Sequence, residues 1–264
     1  LRNAISVLKI AQNPGQKIYW LSLSLATWLS LVSAKRAIAV SHYAKKLITF
    51  KLSKNISQKC GVVHHGVKSP KLSPRSHNNL GSNILAVSDI YVQKNYYNLI
   101  LSFSMLLKKR PKLKLIIIGQ KIDHNYSEQL DNLIKELKIK KKIIFKGKIN
   151  PQDLMEYYKN CRVFVFPSLV ETFGNTLLEA MAHGSPIACS NTAAMPEVLG
   201  DCGIFFNPAD KFDMANKIES LLANDELSIE FSKKSIKRAA TFSWENTAKE
   251  TYSILADVAD HNQN

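Results

Sequence analysis

From residue 83 onward the apolar positions of this chain fall in short continuous runs rather than in alternation. ILAVS (84–88), LKLIIIG (113–119), KIIFKG (142–147), RVFVFPS (162–168), PIACS (186–190) and GIFF (203–206) are each of strand length. Such runs suit strands of a parallel sheet that is covered on both faces, where neither set of alternate side chains meets water. Between them the pattern predicts helices over 96–109, 126–137, 151–160, 176–183 and 195–199. Strands alternating with helices imply βαβ units with right-handed crossovers, and so an α/β fold with a doubly wound, Rossmann-like parallel sheet. Ligands of such sheets bind beyond the carboxyl ends of the strands. Residues 211–258 read as helices, and TFSWENTAKETYSIL is the last long one.

Upstream, AIAVS (37–41) and GVVHHGV (61–67) predict two further strands, with a helix-like stretch after the first running through Leu52. The segment KSPKLSPRSHNNLGS (68–82) has prolines, serines and no apolar period, and it is expected to be a linker. The expected organisation is an N-terminal domain remnant at 1–67, a linker at 68–82, a main domain at 83–242, and a C-terminal helix and tail at 243–264. The chain opens on Leu1 with no signal-peptide pattern, so it reads as a portion whose upstream part is missing. One apolar run, IYWLSLSLATWLSLVSA (18–34), is slightly short of the roughly 20 residues of a bilayer span and is rich in hydroxyls. A buried or interfacial helix is expected there.

Composition changes this picture in a few places. With 45% hydrophobic and 22% charged residues, a disordered chain is excluded. The net charge of +15 suits an anionic partner: a nucleotide diphosphate, a membrane face or nucleic acid. Nucleic acid is disfavoured, because no zinc-finger spacing, basic heptad helix or RRM-like aromatic signature is visible. The lysines at 135, 138, 140, 141, 142, 146 and 148 read as a solvated face, with a membrane contact as the alternative. Cys60, Cys161, Cys189 and Cys202 are scattered, which argues against a zinc site or a disulfide framework and fits a reducing compartment. No GxGxxG follows a predicted strand, so a dinucleotide oxidoreductase is disfavoured.

The candidate chemistry is concentrated in VFVFPSLVETFGNTLLEAMAHGSPIACSNTAAMPEVLGDCGIFFNPAD (163–210). A buried strand leads into a short loop carrying Glu171 and Gly174. A helix then opens near Asn175 or Thr176, each a plausible N-cap, and carries Glu179 about one turn inside. A helix N-terminus at the carboxyl edge of a sheet offers free N–H groups to a diphosphate. The two glutamates do not share a helix face, so they would meet different parts of one ligand. Glu179 lies among apolar and small neighbours, where an unpaired carboxylate would cost several kcal/mol by order of magnitude. For His64 and His65 a turn-supporting or packing role is expected, and for His183 a helix cap, where a histidine meets the dipole favourably. Glu197, in MPEVLG, could face the ligand or simply start a helix.

The block E-TFGNTLL-E-AMAHGSPIACS, with PEVLG and GIFFNPAD after it, resembles the retaining GT-B glycosyltransferases of family 4 (glycosyl transferases group 1). The resemblance runs back to AIAVSHYAKK and VVHHGV and forward to FSWENTA. It implies that a nucleotide-diphospho-sugar lies between two Rossmann-like domains, held mainly by the second, without a metal or cofactor. Carried onto this chain, it implies catalytic roles for Glu171, at the sugar hydroxyls, and for Lys94, at the diphosphate. The backbone of Phe173, Gly174, Asn175 and Thr176 would hold sugar and phosphate, Glu179 the ribose, and Gly147 and Lys148 the base. The family commonly has Gly-Arg before that lysine, where this chain has Ser88 and Asp89. A carboxylate facing phosphates would repel them. Either Asp89 points away, or phosphate binding rests on Lys94 and the helix N-terminus.

The resemblance implies transfer of a hexose-type sugar to a hydroxyl of a glycan or lipid-linked acceptor, with retention, in cell-surface glycan synthesis. The expected location is cytoplasmic, with a peripheral position at the inner membrane face left open. Two alternatives stand: a non-catalytic nucleotide-binding module, and a GT-B nucleotide-sugar epimerase.

Overall fold

The structure, a computed structural model, describes residues 14–50, 52–68, 70, 75–76 and 80–260. Expectations for 1–13, for 69, 71–74 and 77–79 of the linker, and for 261–264 lie outside the described residues. Helix α1 (Pro14–Ser33) leads to a two-stranded parallel sheet, in which β1 (Ala37–Ala39) pairs with β2 (Cys60–Val62). Helices α2 (His42–Ile48) and α3 (Lys54–Lys59) lie between these strands.

The chain then alternates in the predicted manner: β3 (Asn83–Val87), α4 (Tyr96–Lys109), β4 (Lys114–Ile118), α5 (His124–Glu136), β5 (Ile143–Phe145), α6 (Pro151–Asn160) and β6 (Val163–Phe166). It continues with α7 (Asn175–Ala182), β7 (Ile187–Ser190), α8 (Met195–Leu199), β8 (Ile204–Phe206), α9 (Lys211–Ala223), α10 (Asp225–Ala239) and α11 (Trp244–Asp260). The strands form one sheet in the order β5-β4-β3-β6-β7-β8, and every neighbouring pair is parallel.

The continuous apolar runs are explained by burial on both faces. Ile84, Ala86, Leu115 and Ile117 face α4, α5 and α9, where Leu99, Leu130 and Ile218 meet them. The alternate residues Leu85, Val87, Ile116 and Ile118 face α6, α7 and α8, where Tyr158, Leu177 and Val198 meet them. Fully burying one such aliphatic side chain contributes roughly 1.5–3 kcal/mol. Helix α4 buries Leu99, Ile100, Phe103 and Leu106, the stripe that a 3.6-residue period places on one side. Helix α6 starts where Asn150 accepts from the Asp153 N–H, with proline in its first turn.

Chain order reverses between β3 and β6, the two central neighbours. Two loops leave this crevice at the carboxyl ends of those strands, one carrying Lys94 and the other Glu171. Such a switch point is where an open α/β sheet leaves room for a ligand.

Three local expectations are corrected. The stretch after β1 breaks into two helices, since α2 ends at its C-cap Thr49 and Ser53 caps α3 anew. The strand expected at 61–67 pairs as β2 over Cys60–Val62, with one further bond from the Val63 N–H to the Ala39 carbonyl, after which the chain leaves to meet Phe242 and, in α11, Thr247. The apolar run at 18–34 is helical within α1, but of its described side chains only Thr27 and Leu31 are buried, while Ile18, Leu21 and Leu25 are exposed, which removes the buried alternative and not the interfacial one. A helix apolar on all sides can turn only one stripe inward. Among the described residues no helix is long and apolar enough to cross a membrane.

Candidate functional site

At the switch point the two loops are tied together. The Leu169 N–H donates to the Gln93 carbonyl at 2.8 Å, and Thr192 Oγ1 donates to the Leu169 carbonyl at 3.1 Å. Lys94 Nζ then donates to Glu171 Oε1 at 2.5 Å, with side chains only 12% and 14% exposed. Burial alone would push the Lys94 ammonium down, but the Glu171 carboxylate and the Tyr91 hydroxyl outweigh it and its pKa is raised. The lysine is therefore a fixed cation. Its ammonium also lies 5.4 Å from the Tyr91 ring centre.

Beside this pair the chain turns through Gly174 at φ 98 into α7. A left-handed backbone of this kind is cheap only for glycine, and it lets the chain enter the helix without a side chain over its N-terminus. The N-cap is Gly174, not Asn175 or Thr176 as expected, and no side chain caps the first turn. The uncapped first turn of α7 thus opens at Gly174, three residues after Glu171, the partner of Lys94. Phe173 is buried among His64, His65 and Phe242, so it can serve a ligand only through its backbone. Asn175 is exposed and Thr176 half-buried, and the Asn175 amide oxygen meets His65 Nδ1 at 2.9 Å.

Glu179, half-buried on α7, accepts a hydrogen bond from the Tyr158 hydroxyl at 3.0 Å. Burial raises its pKa, and the tyrosine partly opposes this. A cavity of about 390 Å³ opens here, with Ile149, Pro151, Leu154 and Met155 on one side and Glu179, Asn175 and His183 on another. Gly66, Val67, Lys68 and Trp244 close it. Its apolar wall and few convergent polar groups are the usual make-up of a small-molecule site. Gly147 accepts from the Gly119 N–H, and exposed Lys148 follows it, immediately before Ile149 of the cavity wall.

Asp89 turns one oxygen to the Gln120 N–H at 2.8 Å and so fastens the loop after β3 to the loop after β4. His64 lies edge-on to Phe242 and His65 stacks on Trp244, and each ring also has a polar partner, Glu197 for His64 and Asn175 for His65. His183 caps α7 as expected, and burial pushes its pKa down, so it does so as a neutral hydrogen-bonding group.

Glu197 does open α8, yet its carboxylate crosses to the first sheet. It accepts from the His42 N–H at 2.8 Å, the Tyr43 N–H at 3.2 Å and His64 Nε2 at 2.7 Å. Desolvation would raise its carboxyl, but these donors hold it below its ordinary 4.5. The latch therefore stabilises above pH 4.5 and is lost as pH falls through the lower folded value. Glu197→Ala should cost roughly 2 kcal/mol, or about 4–8 °C in melting temperature. That deficit should shrink in acid, which thermal melts across pH would show.

Two positioning residues were not legible in the sequence. Asn95 adopts φ 56, and its buried amide donates to the Pro167 and Pro208 carbonyls at 3.1 and 2.8 Å, clamping the turn that carries Lys94. Tyr158 is the other, the partner of Glu179. An asparagine after a lysine and a tyrosine on an amphipathic helix carry no signal of their own, although asparagine does tolerate the left-handed region. Among the described residues no three His, Cys, Asp or Glu side chains group as metal ligands.

Comparison with known proteins agrees with this architecture. The family described as "Glycosyl transferases group 1" matches residues 73–238. The serotype-specific mannosyltransferase WbdA of Escherichia coli is 32% identical over 166 residues, covering 62% of this chain and 20% of its own. An O-antigen chain mannosyltransferase B of the same species is 37% identical over 109 residues, covering 41% of this chain and 29% of its own. The chain thus spans less than a third of the length of either curated relative. Among solved structures, a sucrose-phosphate synthase from Thermosynechococcus elongatus superimposes with a TM-score of 0.83 at 20% identity, covering 98% of this chain and 66% of that one. Anabaena Alr3699/HepE, solved in complex with UDP and glucose, gives 0.79 at 18% identity, covering 90% and 67%.

Proposed function

We propose, from the premise that this chain belongs to the glycosyl transferases group 1 family, that it carries the donor-binding part of a retaining glycosyltransferase. The enzyme moves a hexose-type sugar from a nucleotide-diphospho-sugar to a hydroxyl acceptor, without a metal ion. The observation that carries this reading is the convergence at the switch point of a buried cation, an uncapped helix N-terminus and a carboxylate-bearing cavity. Lys94 and the first N–H groups of α7 hold the diphosphate. Glu171 accepts hydrogen bonds from the sugar, and Glu179 from the ribose. The apolar wall by Gly147 and Lys148 takes the base.

In the reaction the bond from the anomeric carbon to the diphosphate oxygen breaks, and the acceptor oxygen bonds to that carbon on the same face. The departing diphosphate takes the acceptor proton. Negative charge grows on the leaving group, so a preorganised cation and helix N-terminus act where stabilisation counts most. A double displacement would need a second carboxylate about 5 Å from the first across the sugar, and among the described residues Glu179 and Asp89 are engaged with Tyr158 and the Gln120 N–H instead. The Asp89 side chain is occupied at the Gln120 N–H, which weakens the case for a lost phosphate site. The names of the Escherichia coli relatives support a cell-surface glycan as the product.

The test is product analysis on the full-length protein, with nucleotide-sugars carbon-labelled at the anomeric centre and hydroxyl acceptors. The expected result is a new glycoside with the donor's anomeric configuration. An altered free nucleotide-sugar without acceptor would establish the epimerase instead, and an inverted product would remove the front-face mechanism.

A further inference from the structure

Glu179 is held by a group two layers deep. The Tyr158 ring is 1% exposed and lies between two others: Phe164, edge-on with centroids 5.6 Å apart, and His183, stacked at 5.6 Å and 24°. The Tyr158 backbone is pinned as well, since its carbonyl accepts from Ser185 Oγ at 2.7 Å and from the Arg75 guanidinium at 2.8 Å. The phenol can therefore aim its hydroxyl in one direction only, at Glu179 Oε2.

His183 is fixed in turn. Its Nδ1 lies 2.8 Å from the Glu179 carbonyl, which can only accept, so Nδ1 carries the proton. Its Nε2 is buried without a partner among the described residues. An acceptor left unpaired in this way offers nothing to stability, so the ring itself is the useful part of the residue. The ring closes the far side of the Tyr158 slot and lines the same cavity as Glu179.

We infer that Tyr158 and His183 are positioning residues for nucleotide recognition. Tyr158 occupies Oε2 of Glu179 and keeps the carboxylate ionised and aimed, so that Oε1 is presented to a vicinal diol, and the His183 ring holds Tyr158 in that pose. This rests on the reading of Glu179 as the ribose acceptor. The arrangement makes the site selective for ribonucleotides over deoxyribonucleotides, because a diol donates to a fixed anion. Burial already raises the Glu179 pKa and the tyrosine opposes it, so loss of the hydroxyl raises it further. The other ionisable groups around the cluster are Lys159 and Glu156 of α6, Cys161 after it, Tyr96 of α4, Arg75, and Lys68 on the cavity wall.

The experiment compares, by calorimetric titration of this chain, whichever of UDP, GDP or ADP binds with its 2′-deoxy counterpart between pH 5 and 8. Tyr158→Phe should lower the ribo-to-deoxy affinity ratio by about tenfold and move the acid midpoint of binding upward. His183→Phe keeps a ring in the slot and should behave as wild type, while His183→Ala should follow Tyr158→Phe. Glu179→Gln is the control for the underlying reading. If it leaves the ratio unchanged, the ribose role of Glu179 falls, and this inference with it. If Glu179→Gln lowers the ratio and Tyr158→Phe does not, the positioning role alone is overturned. If His183→Phe loses the ratio as His183→Ala does, with both folded by near-ultraviolet dichroism, a ring nitrogen and not the ring face is what counts, and the role of the ring is overturned.

Discussion

Replacing Lys94 by alanine should weaken the binding of a nucleoside diphosphate by about 10- to 100-fold while leaving the parent nucleoside nearly unaffected. A hydrogen bond to a charged group contributes about 1.5–3 kcal/mol, and each 1.4 kcal/mol is a factor of about ten in affinity. The loss is amplified here because the variant leaves Glu171, its partner at 2.5 Å, as an unpaired carboxylate beside the phosphates. Glu171→Gln should act in the opposite direction on the bare diphosphate. The resting lysine is then no longer engaged by a carboxylate, so nucleoside diphosphates should bind more tightly while the sugar conjugate loses its advantage over them. The pH dependence follows from the raised Lys94 pKa. The cation is present throughout the neutral range, so its contribution to both binding and stability holds below the ordinary 10.5 and is lost only as pH rises through the higher folded value.

The largest effect on the fold is expected at Gly119→Ala. Gly119 follows β4 at φ 147, and a Cβ there would lie 2.0 Å from the Ser88 carbonyl oxygen and 2.4 Å from its carbon. Both are backbone atoms at the end of β3, in the middle of the sheet, so no side-chain rotation relieves the clash. The strands must part or the loop carrying Asp89 and Lys94 must move. Costs above about 4 kcal/mol are reserved for changes of this kind, and on a chain of this size that lowers the melting temperature by roughly 8–16 °C. A thermal melt followed by far-ultraviolet dichroism checks it. Because the displaced loop leads directly to Lys94, whatever folded protein remains should also bind diphosphate poorly.

The six-stranded sheet was legible because Ile84 to Val87 and Leu115 to Ile118 bury both alternate sets of side chains, which writes an uninterrupted apolar run into the chain. Glu171 on a loop and Glu179 one turn inside the next helix were legible from local signals, since Gly174 ends the loop, although the cap was expected one or two residues later. What the sequence did not disclose is which distant residues meet. Lys94 and Glu171 are 77 residues apart, and Glu197 and His42 are 155 apart. Periodicity says which face is buried but not which loops share a sheet edge. That depends on β6 pairing with β3 rather than continuing beyond β5. Which of the two expected settings α1 takes, buried or interfacial, was not legible, because an apolar run indicates hydrophobicity without indicating how much of it the neighbouring elements can cover.

The central claim is that the crevice between the β3 and β6 loops is a nucleoside-diphosphate site built on Lys94 and Glu179. Its most direct test is calorimetric titration of this chain with UDP, GDP and ADP, repeated with Lys94→Ala and Glu179→Ala. The account predicts saturable binding of one nucleotide, weakened by both substitutions, with Lys94→Ala selective for the diphosphate. Equal affinity in wild type and both variants, or no binding of any nucleotide by the folded chain, would contradict it.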